Sequence, residues 1–361
     1  MVDVSIVKCP AYIQKNVDEA VERSLKNIKF VVSNGSKVLV KPNILMAKIP
    51  EYAVCTHPAV IEAVCKILKR RGCKIVIAES SGWNTAQGFE ISGIRAVGEK
   101  YGAEIVILEN GKITSKIIDG KVLKELKTSP TIDSVDYILN ISKMKTHSLT
   151  NVTGAVKNIY GLVPGTTKAL YHMKGNTEEL FADILIDIYT HYRPKISLNI
   201  MDAVIGMEGE GPGNGDPKNT GLIIASIDAL ALDVIQARIM GFRPEDMPCL
   251  KAAVKRGLIG LKDVKVIGDF TNTNIPIIKY APPGKKSLVN VLSMAKSFIF
   301  KSAPLIPDVD TKKCVKCGIC AKLCPVKCIT MKPYPKFDRK ICIKCYCCHE
   351  HCPQGAIYLK K

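Results

Sequence analysis

Eight cysteines near the C-terminus leave the end of this chain little freedom. Cys314, Cys317, Cys320 and Cys324 follow the spacing C-x2-C-x2-C-x3-C and precede Pro325, and Cys342, Cys345, Cys348 and Cys352 repeat it before Pro353. The offset between the runs is 28 residues throughout. Three thiolates so spaced can wrap three irons of a cubane, while the fourth, carried off by the proline, reaches a second one. The spacing therefore assigns one 4Fe-4S cluster to Cys314, Cys317, Cys320 and Cys352. A second falls to Cys342, Cys345, Cys348 and Cys324.

The repeat extends past the cysteines. Pro325-Val326-Lys327-Cys328-Ile329 matches Pro353-Gln354-Gly355-Ala356-Ile357, so each half pairs a cluster loop with a short apolar strand. Residues 308–361 thus resemble a bacterial two-cluster ferredoxin domain. A zinc ribbon would use two C-x2-C pairs and leave the third and fourth cysteine of each run idle. Disulfides need an oxidising compartment, for which the sequence holds no signal. Two cysteines fall outside the eight. Cys328 stands where the other half has Ala356 and is read as a small buried side chain. Cys347, beside Cys348, is a neighbouring thiol able to compete as a ligand.

Met1–Lys8 lacks the charged-then-apolar organisation of a signal peptide, and no apolar run approaches a membrane span. A cytoplasmic protein is expected, and oxygen-sensitive clusters point to an anaerobic or low-oxygen host. The formal charge of +19 falls to roughly +15 once two oxidised clusters with their thiolates contribute about −2 each. Lysines crowd the cysteine runs, where positive charge stabilises the reduced clusters and attracts an acidic partner such as an electron-carrier protein or redox enzyme. No helix-turn-helix, zinc-finger spacing or aromatic RNP-like strand is present, so nucleic acid is not expected as a partner.

Upstream, residues 2–8 alternate as a strand, 15–32 read as an amphipathic helix, and Lys37–Lys41 is a near-continuous apolar strand ended by Pro42. Thr56-His57-Pro58 supplies an N-cap and an early-turn proline for a helix to about Arg71, and Lys74–Glu79 is another buried strand. Such strands alternating with helices predict an α/β fold: a mostly parallel sheet flanked by helices over residues 1–284. A connecting helix and linker follow over 285–307, marked by Ser287–Phe300, Pro304 and Pro307. The small α+β two-4Fe-4S ferredoxin-like domain over 308–361 completes the chain. Ligands are expected beyond the carboxyl ends of the strands.

Three such ends are polar: Lys41-Pro42-Asn43, Glu79-Ser80-Ser81-Gly82, and the segment after Tyr137–Ile141. The last gathers Lys143, Lys145, His147, Lys157, Asn158, Lys168 and His172 among glycines and small residues, favouring a shared anion-binding or catalytic cleft over a plain solvated loop. Gly206–Pro217 holds five glycines and two prolines and reads as either a mobile surface loop or a ligand cradle. Asp228 is read as an N-cap. Asp233 is expected to complement a helix dipole or to meet a buried lysine.

Lys41-Pro42-Asn43, Thr56-His57-Pro58, Lys143–His147, Thr153–Gly165 with Lys157-Asn158, Asp202–Gly215, and Ser226–Asp228 with Asp233 together resemble the domain of unknown function 362 (DUF362) family, in its form fused to a two-cluster ferredoxin. That family name carries no reaction. Lys157–Gly165 is also similar to the lysine-to-Pro-Gly stretch of lactate-racemase-type proteins, from which no nickel cofactor is inferred. The expected function is an iron-sulfur oxidoreductase passing electrons between a carrier and a small anionic substrate in the α/β domain. His147, Lys157 and His172 are the expected catalytic residues, and Lys41, Asn43, Lys143, Lys145, Asn158 and Lys168 the expected binding residues. The alternative is a non-catalytic relay, redox sensor or metallocentre-assembly protein docking on an acidic partner.

Overall fold

The computed structural model describes residues 1–282 and 305–360. The expected helix over Ser287–Phe300, and Pro304, lie outside them. Eleven strands precede residue 282: β1 Val2–Lys8, β2 Lys37–Lys41, β3 Lys74–Glu79, β4 Glu104–Ile107, a separate hairpin of β5 Thr114–Ile117 and β6 Glu125–Thr128, β7 Tyr137–His147, β8 Asn151–Thr153, β9 Ile196–Glu208, β10 Asp216–Ser226 and β11 Val264–Gly268. Nine of these form one sheet in the order β11-β1-β10-β9-β7-β2-β3-β4, with β8 on β7. The pairs β2–β3, β3–β4, β2–β7, β7–β9 and β1–β11 are parallel, and β10 runs antiparallel to β1 and β9.

Successive residues of the central strands feed opposite faces. Leu39, Val76 and Ile138 join the core under helices Glu178–Tyr192 and Ala229–Ile239. Val38, Val40, Ile75 and Ile77 join the core under Gln14–Asn27 and Pro58–Arg70. With both faces covered, these strands carry the apolar runs expected of a buried parallel sheet. Thr177 caps the helix Glu178–Tyr192, and Asp228 caps Ala229–Ile239 through the Ala231 N–H at 3.0 Å.

Several local expectations need correction. The cap before Pro58 is His57, whose Nδ1 accepts from Ala59 N, because the Thr56 hydroxyl is committed to Ile141 O at 2.8 Å. Lys143–His147 is the continuation of β7 rather than a segment beyond it, and its alternation of charged and small residues is a strand's period of two. Among the described residues Asp233 pairs with no lysine; it accepts backbone N–H groups from Ala155 and Val156. The glycine-rich stretch is largely built in: β9 runs to Glu208, β10 starts at Asp216, and Gly211, Pro212 and Gly213 between them are buried. Pro307 lies in a strand, Ile306–Val309, not in a linker. A two-stranded ribbon leaves one edge where a missing N–H goes unneeded.

Beyond residue 305 the chain folds as two pseudo-equivalent halves. Ile306–Val309 pairs with Ile357–Lys360, and Ile329–Met331 with Pro335–Phe337. The short helices Ile319–Lys322 and Cys347–Glu350 follow the first turns of the two cysteine runs. The backbone repeats with the sequence: Lys316 and Lys344, Gly318 and Tyr346, and Lys327 and Gly355 are all left-handed.

Candidate functional site

A cavity lined in part by charged and polar side chains opens at the carboxyl ends of β2 and β3, where the C-terminal lobe packs against the sheet lobe. Lys41 and Glu79, each the last residue of its strand, form a fully buried ion pair there. The Lys41 ammonium also donates to Pro42 O at 2.7 Å and to Asn158 Oδ1 at 3.3 Å. Burial lowers its pKa and Glu79 opposes that, so this cation is already matched. Gly161 closes over the pair. A Cβ there would stand 2.0 Å from Glu79 Oε1, so only glycine permits the approach.

Asparagines tie the strand ends together. Asn43 donates to Asn158 Oδ1 at 2.9 Å, Asn158 to Asn140 Oδ1 at 2.8 Å, and Asn140 to Asn199 Oδ1 at 2.8 Å. Asn158 is thereby a positioning residue. It sits on the short helix Ala155–Asn158, whose first two N–H groups are taken by Asp233 at 2.5 and 3.1 Å. Gly154 fits that carboxylate, since a Cβ there would lie 2.4 Å from Asp233 Oδ1.

Lys157, from the same helix, is half-buried and makes no hydrogen bond or ion pair among the described residues. It is the wall's uncommitted cation. Lys168 donates to Ser80 O and lies 5.4 Å from the centroid of the Tyr160 ring, and burial pulls its pKa down to about 8. His172 is stacked on Phe181 at 4.5 Å, and burial and then the Lys157 charge lower its pKa to about 3, so it is neutral near pH 7. Five buried atoms of the wall, Asn43 Oδ1, Ser80 Oγ, Thr153 Oγ1, His172 Nδ1 and Glu350 Oε1, have no hydrogen-bond partner among the described residues. Leaving such groups dry costs roughly 1–3 kcal/mol each, so this wall is built for polar contents.

Three residues expected in the cleft lie elsewhere. Lys143 is fully buried, donating to Asp202 at 2.8 Å and to the Tyr12 hydroxyl at 2.7 Å. Lys145 donates to Val54 O at 2.7 Å, and burial brings its pKa to about 7. His147 accepts the Leu149 N–H on Nδ1 at 3.0 Å, which places its proton on Nε2, 3.2 Å from Glu350 Oε1 without hydrogen-bond alignment. Glu350 in turn lines the cavity, with Leu323, Cys347 and His351 from the C-terminal lobe. These four were not anticipated. Nothing in a cysteine run distinguishes residues facing a cluster from residues facing a neighbouring lobe.

Two small cavities lie within the C-terminal lobe. Cys314, Cys317, Cys320 and Cys352 line one. Cys324, Cys342, Cys345 and Cys348 line the other, with Cys328 and Cys347. Backbone N–H groups of Cys328 and Ala356 approach Cys324 Sγ and Cys352 Sγ at 3.3 and 3.2 Å. Four soft sulfur donors about a cavity, with amides directed at sulfur, fit a 4Fe-4S cluster. Among the described residues, no three His, Cys, Asp or Glu side chains form a group able to hold a metal ion. A cubane asks for thiols spread about a volume, not converging on one atom.

A family model described as domain of unknown function (DUF362) matches residues 38–238, over half of the chain. The chain belongs to the DUF362 family. A model for a 4Fe-4S binding domain matches residues 307–330, which takes in the first cysteine run. Thylakoid-associated protein sll1697 of Synechocystis sp. is 31% identical over 229 residues, covering 63% of this chain and 70% of that one. The lactate racemase apoprotein of Thermoanaerobacterium thermosaccharolyticum aligns over 63% of this chain with 13% identity and a TM-score of 0.40. This chain spans 55% of that protein's length.

Lys41, Asn43, Lys157, Asn158 and Lys168 of this DUF362 protein, with His172, thus share one wall. Chemically, that wall offers an unpaired ammonium for a carboxylate or phosphate, a second ammonium of lowered pKa, and a neutral imidazole. Among the described residues, no helix is long and apolar enough to cross a membrane.

Proposed function

We propose that this DUF362 protein holds two 4Fe-4S clusters in the assigned cysteine sets and passes single electrons between an acidic carrier protein and a small anionic substrate in the cavity between its lobes. One observation carries the reading: Cys347 belongs both to the wall of that cavity and to the wall of the second cysteine cavity. The clusters, when bound, supply reversible one-electron transfer. The chain's own residues do the rest. Lys157 binds the substrate's charge, Lys168 can deliver a proton near neutral pH, and the unpartnered His172 Nδ1 accepts a hydrogen bond or proton from the bound molecule. Lys41 and Asn158 hold the wall in register.

A carrier would dock at the first set. Cys317 is exposed, as are Lys312, Lys313 and Lys316 around it. This basic surface is also what favours the second reading, a relay or sensor that only docks on an acidic partner. Anaerobic reconstitution should give about eight iron and eight sulfide per chain. Bound zinc, or substoichiometric iron, overturns the cluster assignment. Lys157→Ala separates the readings: an enzyme loses turnover and the ligand-dependent change in its cluster spectra with iron content intact, whereas a relay keeps its electron transfer rate.

A further inference from the structure

The two cysteines left over from the repeat are not scattered. Cys328 and Cys347 both line the second cysteine cavity, and the first contains neither. The chain supplies its own control, because each extra thiol has a counterpart 28 residues away whose side chain cannot donate a hydrogen bond: Ala356 for Cys328, and Ile319 for Cys347. Cys328 Sγ lies 3.5 Å from Cys324 Sγ. With Cys324 as a ligand thiolate, which can only accept, the thiol of Cys328 must donate. Cys324 therefore receives the Cys328 S–H in addition to the Cys328 N–H, whereas Cys352, its counterpart, receives only the N–H of Ala356 among the described residues. The Cys347 thiol lines the same cavity as the ligand cysteines Cys345 and Cys348.

From this asymmetry we infer that Cys328 and Cys347 are hydrogen-bond donors to the sulfur ligands of the second cluster, and that they hold its reduction potential above that of the first. Adding an electron raises the negative charge on a cluster and its sulfurs, so a donor to sulfur stabilises the reduced form more than the oxidised one. An electron entering from a low-potential carrier protein at the exposed first set then moves downhill to the set beside the substrate cavity. One electron passes at each hop, the carrier is oxidised and the second cluster reduced, and no proton transfer is required. The inference rests on the two-cluster assignment proposed above.

Redox titration of the anaerobically reconstituted protein, followed by electron paramagnetic resonance, tests it independently of turnover. Two separable midpoints are expected. Cys328→Ala installs the residue the other half already carries, so the fold should tolerate it, and it should shift the higher midpoint downward and leave the lower one in place. Cys328→Ser, which keeps a donor, should restore the separation. Cys347→Ala should act in the same direction with iron content unchanged. Unaltered midpoints in both alanine variants overturn the inference, and so does loss of half the iron in Cys347→Ala, which would make Cys347 a ligand. A wild-type protein holding fewer than two clusters instead refutes the assignment beneath it.

Discussion

Tyr346 adopts a left-handed backbone at φ 59°, as does Gly318 in the other half at φ 74°. Lys344 does the same at φ 55°. A side-chain-bearing residue there costs roughly 1–2 kcal/mol. Lys344→Gly should therefore raise the unfolding free energy of the reconstituted protein by about 1 kcal/mol, less the entropy glycine adds to the unfolded chain, read from denaturant titration. His172 governs a pH response. Its pKa of about 3 lies below that of an unfolded histidine, so the unfolded chain binds the extra proton and stability falls as pH drops from about 6.5 towards 3. The slope approaches about 1.4 kcal/mol per pH unit, and His172→Phe should flatten the acid limb of a melting-temperature profile by that amount. The sequence displayed these side chains unevenly. Lys41, Lys157 and Lys168 stand where polar strand ends and glycines announced them. Lys143 is lost to the cavity because its partners, Asp202 and Tyr12, lie 59 and 131 residues away, and such pairings leave no local trace.

The short helix Ala155–Asn158 cannot hold itself, since four residues barely close one turn. Asp233 holds it from the neighbouring helix, and burial pushes that carboxyl up to about 7 even though two N–H donors pull the other way. Asp233→Ala should strand two buried N–H groups and cost about 2–3 kcal/mol in thermal unfolding. If the helix positions Lys157 as proposed, ligand-induced spectral changes should disappear in the same variant. Elements with strong apolar patterning were legible: β1, β2, β3 and the helix Pro58–Arg70 fall where alternation, apolar runs and the early-turn proline put them. The glycine-rich turn was not. Whether such a stretch waves in solvent or is clamped depends on what packs over it. Here the clamp comes from the other end of the chain, with Asn214 donating to His349 O at 3.4 Å.

The two lobes are held by unlike forces. The sheet lobe has two extensive apolar cores. Among the described residues of the C-terminal lobe, five of the eight buried core members are cysteines, which leaves little to drive folding without metal. Cluster-free protein should accordingly be cut by trypsin among the lysines from Lys312 to Lys344, on the order of tenfold faster than the loaded protein, while a fragment spanning the sheet lobe persists on a gel. Trp83, the only tryptophan, lies under the Lys322 ammonium, which stands 4.5 Å from its ring centroid, so its fluorescence should report the same separation of lobes. The seam at Cys347 has a further result. Whatever fills the chamber on one side becomes part of the insulation on the other, displacing water and altering the local dielectric. On the proposed function, filling that chamber should therefore shift the midpoint of the adjacent cluster, which a redox titration with and without a bound anion would read.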